Sequence, residues 1–203
     1  SVFKNIEEMP AELRTHLRYP RDLYYAQMKI FARYHQRSPE LFYEQAETWQ
    51  FANVREEPVM PYYQTMDFGY CNHKEELVLI NPMTPVNRTT LSMIGVASIL
   101  DKAGCGLNYK PNITVFKFLK DIQVNGPAQV EALISQNPDI AAQFTLWDQR
   151  GSQIALGRMV ILPMGNTVLY VEPVYMLSTR NRIPELARVI VSIGNHTVMD
   201  TTL

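Results

Sequence analysis

The chain has 203 residues, of which 46% are hydrophobic and 19% charged, and its formal net charge is −1. That length fits one domain able to bury a sizeable core. Residues 1–60 hold 8 basic and 9 acidic side chains and residues 61–203 hold 11 of each. With neither half polarised, a phosphate-tracking surface is disfavoured, and nucleic-acid binding is a distant third reading.

Residues 1–52 read as helical. "MPAELRTHLR" has Pro10 near a helix start. "YPRDLYYAQMKIFARYH" carries Leu23, Gln27, Ile30, Phe31 and Tyr34 at three-to-four spacing, a mostly apolar stripe expected to pack inward. Along the same stretch Lys29, Arg33 and Arg37 recur every four residues and read as a solvated face. "RSPELFYEQAETWQF" offers Ser38 as N-cap, Pro39 at the first helical position and a stripe of Leu41, Phe42, Ala46 and Trp49. Residues 53–74, punctuated by Pro58, Pro61 and Gly69, read as a long loop plugged by Tyr62 and Tyr63.

Residues 75–143 read as mixed α/β. "ELVLINP" is a strand. "LSMIGVASIL", residues 91–100, is apolar on nearly every side and reads as part of a helix. Such a helix is either central in the core, through Leu91, Met93, Ile94 and Ile99, or an exposed apolar patch. At ten residues it falls short of the roughly 20 needed to cross a bilayer. "NITVFKFLKDI" alternates as a strand. "NGPAQVEALISQNPDI" is a helix opened by Pro127 and closed by Pro138, with Val130, Leu133 and Ile134 inward. Residues 144–203 read as a β-meander of five strands, "FTLWDQ", "QIALGRMVILPM", "TVLYVEPVYM", "ELARVIVSI" and "HTVMDTTL". Two-residue turns at Gly165-Asn166 and Gly194-Asn195 join four of them as hairpins. The whole, residues 1–203, is expected to be a single soluble α+β domain, an antiparallel sheet from the C-terminal half covered by N-terminal helices.

No phosphate-binding glycine loop, zinc-protease helix or nucleophile elbow occurs. His16, His35, His73 and His196 are scattered, and no metal or cofactor is expected. Cys71 and Cys105 form no CxxC pair. Cys71 lies in the long loop and Cys105 between two glycines, so they are expected not to be bonded to each other. Cys71 beside His73 lacks the orienting partner that a nucleophile needs. What remains is a carboxylate pair for hydrolysis, with Glu131, Asp148 and Glu172 as candidate catalytic residues near aromatic or apolar neighbours. The competing reading of Glu172 is structural. In "TVLYVEPVYM", Leu169, Val171, Pro173 and Tyr175 fall on one face and Val168, Tyr170, Glu172 and Val174 on the other. Glu172 therefore shares a face with Tyr170, expected to be a wet one. Asp148 precedes a turn, where aspartate is routine.

"HLRYPRDLYYAQMKIFARYH", "FYEQAETW", "PYY", "LVLINPMTP", "NGPAQVEALISQNPDIAAQFTLWDQRGS", "LYVEPVYM" and "IPELARVIV" follow one another in order. Together they resemble an uncharacterised family of prokaryotic polytopic integral membrane proteins with a large extracytoplasmic region. The resemblance implies that this chain is a soluble part of that region. Its partners would be the remaining segments of the parent membrane protein or further copies of itself. The parent would sit in the cell membrane with this domain outside the cytoplasm. The resemblance carries no activity, cofactor or catalytic residue. The leading expectation is thus a non-enzymatic interaction and packing domain, and the alternative is an envelope-acting hydrolase using a carboxylate pair.

Overall fold

Two long strands organise the chain, and each shares one of its edges between two shorter partners. The computed structural model describes residues 3–14, 16–45, 47–67, 75–100, 109–119, 121–148, 151–165, 167–178 and 183–202. The helices are α1 (Ala11–Arg14), α2 (Arg21–Tyr34), α3 (Pro39–Glu44), α4 (Pro127–Gln136) and α5 (Pro138–Trp147). The strands are β1 (Trp49–Phe51), β2 (Asn53–Val54), β3 (Glu57–Pro58), β4 (Tyr62–Met66), β5 (Glu76–Pro85) and β6 (Met93–Leu100). They continue with β7 (Tyr109–Lys117), β8 (Ser152–Leu156), β9 (Val160–Met164), β10 (Thr167–Ser178), β11 (Pro184–Ile193) and β12 (His196–Asp200). The fold class is α+β with antiparallel sheets and helix concentrated toward the N-terminus, as expected from the sequence. The chain divides into two compact units. One is Ser1–Phe51, Val59–Val86 and Met93–Lys117; the other is Ala52–Pro58, Asn87–Ser92 and Phe118–Leu203.

In the first unit β5 is the long strand. β4 pairs with its first half and β1 with its second, while β6 and then β7 extend the other side, all antiparallel. Helix α2 packs on this sheet. Tyr24, Met28 and Ala32, each four residues apart, join Tyr19, Phe51, Leu79, Met83, Met93, Ala97 and Ile99 in one buried cluster. Each fully buried Met or Leu there stabilises the fold by roughly 1.5–3 kcal/mol. The expected inward stripe of α2 is therefore corrected: Leu23, Gln27, Ile30 and Tyr34 are exposed, and the buried stripe lies about one residue over. Both sets have helical spacing, and contact with the sheet chose the one holding the smaller side chain at Ala32.

Residues 91–100 are corrected too. They contain the inner strand β6, not a helix, although Leu91, Met93, Ile94, Val96, Ala97 and Ile99 are all buried, as the core alternative required. A short apolar run does not distinguish a doubly buried strand from a buried helix, and β-branched Ile94, Val96 and Ile99 favour the strand. Trp49, placed on a helix from the sequence, opens β1; α3 stops at Gln45 in the left-handed conformation (φ 54°). Within the stretch 53–74, β2, β3 and β4 replace much of the expected loop.

In the second unit β10 is the long strand. β9 pairs with its residues Thr167–Val171 and β8 with Val174–Ser178, while β11 and then β12 extend the other side. Pro173 stands at the changeover. Its carbonyl accepts from Gly157 N–H at 2.8 Å. A residue in an antiparallel ladder aims N–H and C=O at the same neighbour, so the hydrogen that proline lacks would have pointed at this edge, and here the edge partner changes. The two-residue turns hold, with Gly165 and Gly194 at φ 59° and 56°. "FTLW" of the expected first meander strand is corrected from strand to helix, as the end of α5. Asn137 ends α4 and at once N-caps α5, its side chain accepting from Asp139 and Ile140 N–H with Pro138 at the first helical position. Val130, Ile134 and Ile140 are the buried residues on these two helices besides Pro127.

Candidate functional site

The concentrated charges of the second unit gather around a two-residue hairpin. β2 and β3 pair as Asn53↔Pro58 and Val54↔Glu57, which leaves Arg55 and Glu56 as the turn. Both have positive φ, 50° and 64°. That is the signature of a type I′ turn, whose usual occupants are Asn and Gly. A side chain in that region costs about 1–3 kcal/mol, so two of them persist only where surrounding contacts fix them.

Those contacts come from α4 and β10. Glu131, on α4, accepts a hydrogen bond from Arg55 backbone N–H through Oε2 at 2.9 Å, and its Oε1 lies 3.6 Å from Arg55 Nε. The Arg55 guanidinium reaches Glu172 Oε1 through Nη2. The Glu172 side chain is 2% exposed, against 27% for Glu131 and 39% for Arg55. Glu172 thus lies on the buried face of β10 with Val168, Tyr170 and Val174. The two faces of this strand were legible, but the wet one was misassigned: the expectation of a solvated Glu172 is overturned. Tyr170 is buried on this face too, and its hydroxyl donates to the Asn125 carbonyl rather than to water.

Burial pushes the Glu172 carboxyl above its ordinary range. Arg55 opposes that shift through its charge and hydrogen bond, and the Glu131 carboxylate reinforces it. Glu172 Oε2 is buried and has no hydrogen-bond partner. Asp148 stands elsewhere: it is the exposed C-cap of α5, where its N–H donates to Phe144 O at 2.8 Å. Of the three sequence candidates, two converge and one does not. Arg55 was missed. It lies 117 residues from Glu172 in the chain, within a stretch whose turn lacks the Asn-Gly signal.

A second constellation lies in the first unit. The His35 ring stacks on Trp49 at 3.7 Å between centroids and 16° between planes. Its Nδ1 faces Phe31 O at 3.0 Å and Ala32 O at 3.2 Å. Two carbonyls require a donor, so Nδ1 carries the hydrogen and Nε2, buried and unpartnered, is the bare nitrogen. Burial holds the His35 pKa below its ordinary value, with Lys117 adding to that direction. Lys117 Nζ sits 4.7 Å from the Trp49 ring centroid. A shallow groove in this unit is lined by Arg33, Phe42, Tyr43, Gln45 and Thr48, with no carboxylate among them. Among the described residues no three His, Cys, Asp or Glu side chains group as metal ligands, and no helix is long and apolar enough to cross a membrane. Cys71, Cys105 and His73 lie outside the described residues.

Fold and site together define an α+β domain in which a buried carboxylate and an arginine clamp a strained hairpin. The chain belongs to the uncharacterised protein family UPF0182, whose family model matches residues 1–147. It is 46% identical over 212 residues to a UPF0182 protein of Methylococcus capsulatus and 40% identical over 207 residues to one of Syntrophobacter fumaroxidans. A UPF0182 protein of Synechococcus sp. is 38% identical over 212 residues. These alignments take in 100% of this chain but only 24%, 23% and 24% of the respective relatives, so the chain spans about a quarter of their length. No solved structure matches the chain.

Proposed function

We propose that this chain is a non-enzymatic interaction and packing domain of a longer, membrane-embedded protein, placed outside the cytoplasm, with the remaining segments of that protein as its partners. The observation that carries the reading is the clamp. Glu131 and Glu172 both direct oxygens at Arg55, so the group between them is a guanidinium. A hydrolytic pair holds substrate or water in that space, with its two carboxyl groups about 5–10 Å apart across an open cleft. Relatives about four times as long as the chain also support a role as part of a larger assembly. The membrane setting rests on the sequence resemblance alone. The second reading, an envelope-acting hydrolase, is favoured by one observation: two of the three candidate acids converge, and the buried one has its pKa raised, as a general acid requires. The test is release of reducing ends from cell-wall polysaccharide. The interaction reading predicts no turnover by the wild-type chain. Turnover that disappears in both Glu131→Gln and Glu172→Gln would establish the hydrolase instead.

A further inference from the structure

Helix α2 has two apolar stripes and uses only one. Tyr24, Met28 and Ala32 are buried against the sheet. Roughly 130° round the helix from them, Leu23, Ile30 and Tyr34 are 51%, 61% and 59% exposed. With Gln27 these residues are spaced four, three and four apart, which is the repeat of a coiled-coil seam. A surface helix with one buried face normally turns polar residues outward. Tyr34 is also held in place, its ring stacked on Phe42 at 5.7 Å, so little side-chain entropy remains to be lost on contact.

One edge of this outer stripe is charged, and its sign changes along the helix. Asp22 lies in the first turn and Arg33 in the last. Neither makes an ion pair within the chain among the described residues; Arg33 instead lies 6.0 Å from the Tyr34 ring centroid. We propose that this stripe is the seam of an isologous dimer, with α2 packed antiparallel on α2 of a second copy of this chain. A two-fold axis through the middle of the helix sets Leu23 level with Tyr34 of the second copy and Gln27 level with its Ile30. The same operation brings Asp22 of each copy toward Arg33 of the other, giving two symmetric ion pairs, and opposes the helix dipoles. A parallel arrangement would put the two charged edges on opposite sides of the seam and leave these charges unpaired. Gln27 enters the seam with its Oε1 already accepting from Tyr19 O–H at 2.7 Å, so part of its polarity is satisfied, and a single polar seam residue fixes register. A bilayer surface fits less well, because Asp22 breaks the basic run of Lys29 and Arg33 along that edge, and a lipid-seeking helix carries a uniformly basic one. The helix is about 21 Å long. It buries less than the roughly 1,200 Å² of a standard interface, so the dimer is reversible, with dissociation on the order of micromolar or weaker.

The seam gives the interaction reading a partner but stands on α2 alone. Turnover dependent on Glu172 would remove that reading and leave the seam; a strictly monomeric chain would remove the seam and leave the clamp. The experiment is sedimentation velocity of the whole 203-residue chain from micromolar to millimolar concentration, with circular dichroism to confirm folding. The wild type is expected to dimerise, and Ile30→Lys to be monomeric with an unchanged melting temperature. Asp22→Arg or Arg33→Asp alone should weaken the dimer by roughly threefold to tenfold, and the doubly swapped chain should recover it. Monomers throughout, a dimer indifferent to Ile30→Lys, or no recovery in the double swap would each overturn the proposal. So would a monomeric chain that floats with phosphatidylglycerol vesicles through Ile30.

Discussion

Each unit holds a buried polar pair that joins distant elements, and the two pairs differ in charge. In the first, the Tyr24 hydroxyl donates to Asn81 Oδ1 between helix α2 and strand β5, both residues are fully buried, and neither is charged. Burial, with Tyr19 adding to it, pushes the Tyr24 phenol far above its ordinary pKa, so the phenol keeps the proton that it donates. In the second unit the buried partner is the Glu172 carboxylate, Arg55 reaches it from a hairpin, and the arginine is partly wet. A neutral pair adds rigidity at modest desolvation cost, whereas a buried ion is tolerable only while its counterion is present. The Tyr24–Asn81 pair therefore belongs to packing, and Arg55–Glu172 to holding a hairpin whose backbone resists its own conformation.

Close packing gives the largest expected effects, and the units should differ in degree. A Cβ on Gly126 would lie 1.9 Å from the Thr89 carbonyl oxygen, a backbone atom of the same unit that cannot swing aside. A Cβ on Gly95 would meet Tyr24 Oη at 2.5 Å, Met28 Cε at 2.7 Å and Asn81 Oδ1 at 2.9 Å, all side-chain atoms. Gly126→Ala should cost about 3 kcal/mol or more and Gly95→Ala about 2 kcal/mol, read by urea unfolding. The reverse order would mean that the neutral pair is the more rigid structure.

Tyr24→Phe comes next. It leaves Asn81 Oδ1 without its donor beside an Nδ2 that is already buried and unpartnered, for a loss of about 1–3 kcal/mol. Tyr24→Phe combined with Asn81→Leu should regain part of that loss, because removing both partners leaves no orphan. A double variant worse than the sum of the single ones would show that the pair does more than satisfy itself.

The charged site separates from the neutral one by its pH dependence. The folded-state pKa of Glu172 lies above the ordinary value of 4.5. As pH rises from 4.5 the unfolded chain loses this proton first, so the contribution of Glu172 is full below 4.5 and is lost as pH rises through the raised value. The stability of wild type minus that of Glu172→Gln should therefore fall with rising pH and then level off. A difference that grows with pH would mean that Arg55 outweighs burial. The smallest effect belongs to His35. Its pKa is held below the ordinary 6.5, so it adds stability above pH 6.5 and loses it as pH falls through the lowered value. In a Trp147→Phe background, Trp49 fluorescence should be quenched by the protonated ring stacked on it, with a midpoint below 6.5. A midpoint above 6.5 would mean that the Phe31 and Ala32 carbonyls outweigh burial.

Much of this was legible in the sequence where a short-range rule governs. Ser38 and Pro39 start α3, Gly165 and Gly194 turn hairpins, and Pro127 opens α4. What failed depended on which face meets what. Alternation along β10 separates Glu172 from Pro173 but does not say which side is covered. The spacing of α2 allows two stripes, and only the sheet beneath it selects Tyr24, Met28 and Ala32. Asn137-Pro138 reads equally well as a stop and as a restart. The clamp was half visible: Glu131 and Glu172 stood out as acids in apolar settings, but nothing local tied either to an arginine in a turn without glycine.

The clamp itself is tested most directly by a double-mutant cycle at neutral pH, with urea unfolding of wild type, Arg55→Ala, Glu172→Gln and the double variant. Arg55→Ala strands a buried carboxylate and should cost about 3 kcal/mol, while Glu172→Gln frees an arginine that water can reach and should cost about 1 kcal/mol or less. The account predicts that the double variant is more stable than Arg55→Ala alone, because the stranded charge is gone. A double variant whose loss equals the sum of the two single losses would show that Arg55 and Glu172 do not act on each other, and the clamp would have to be given up.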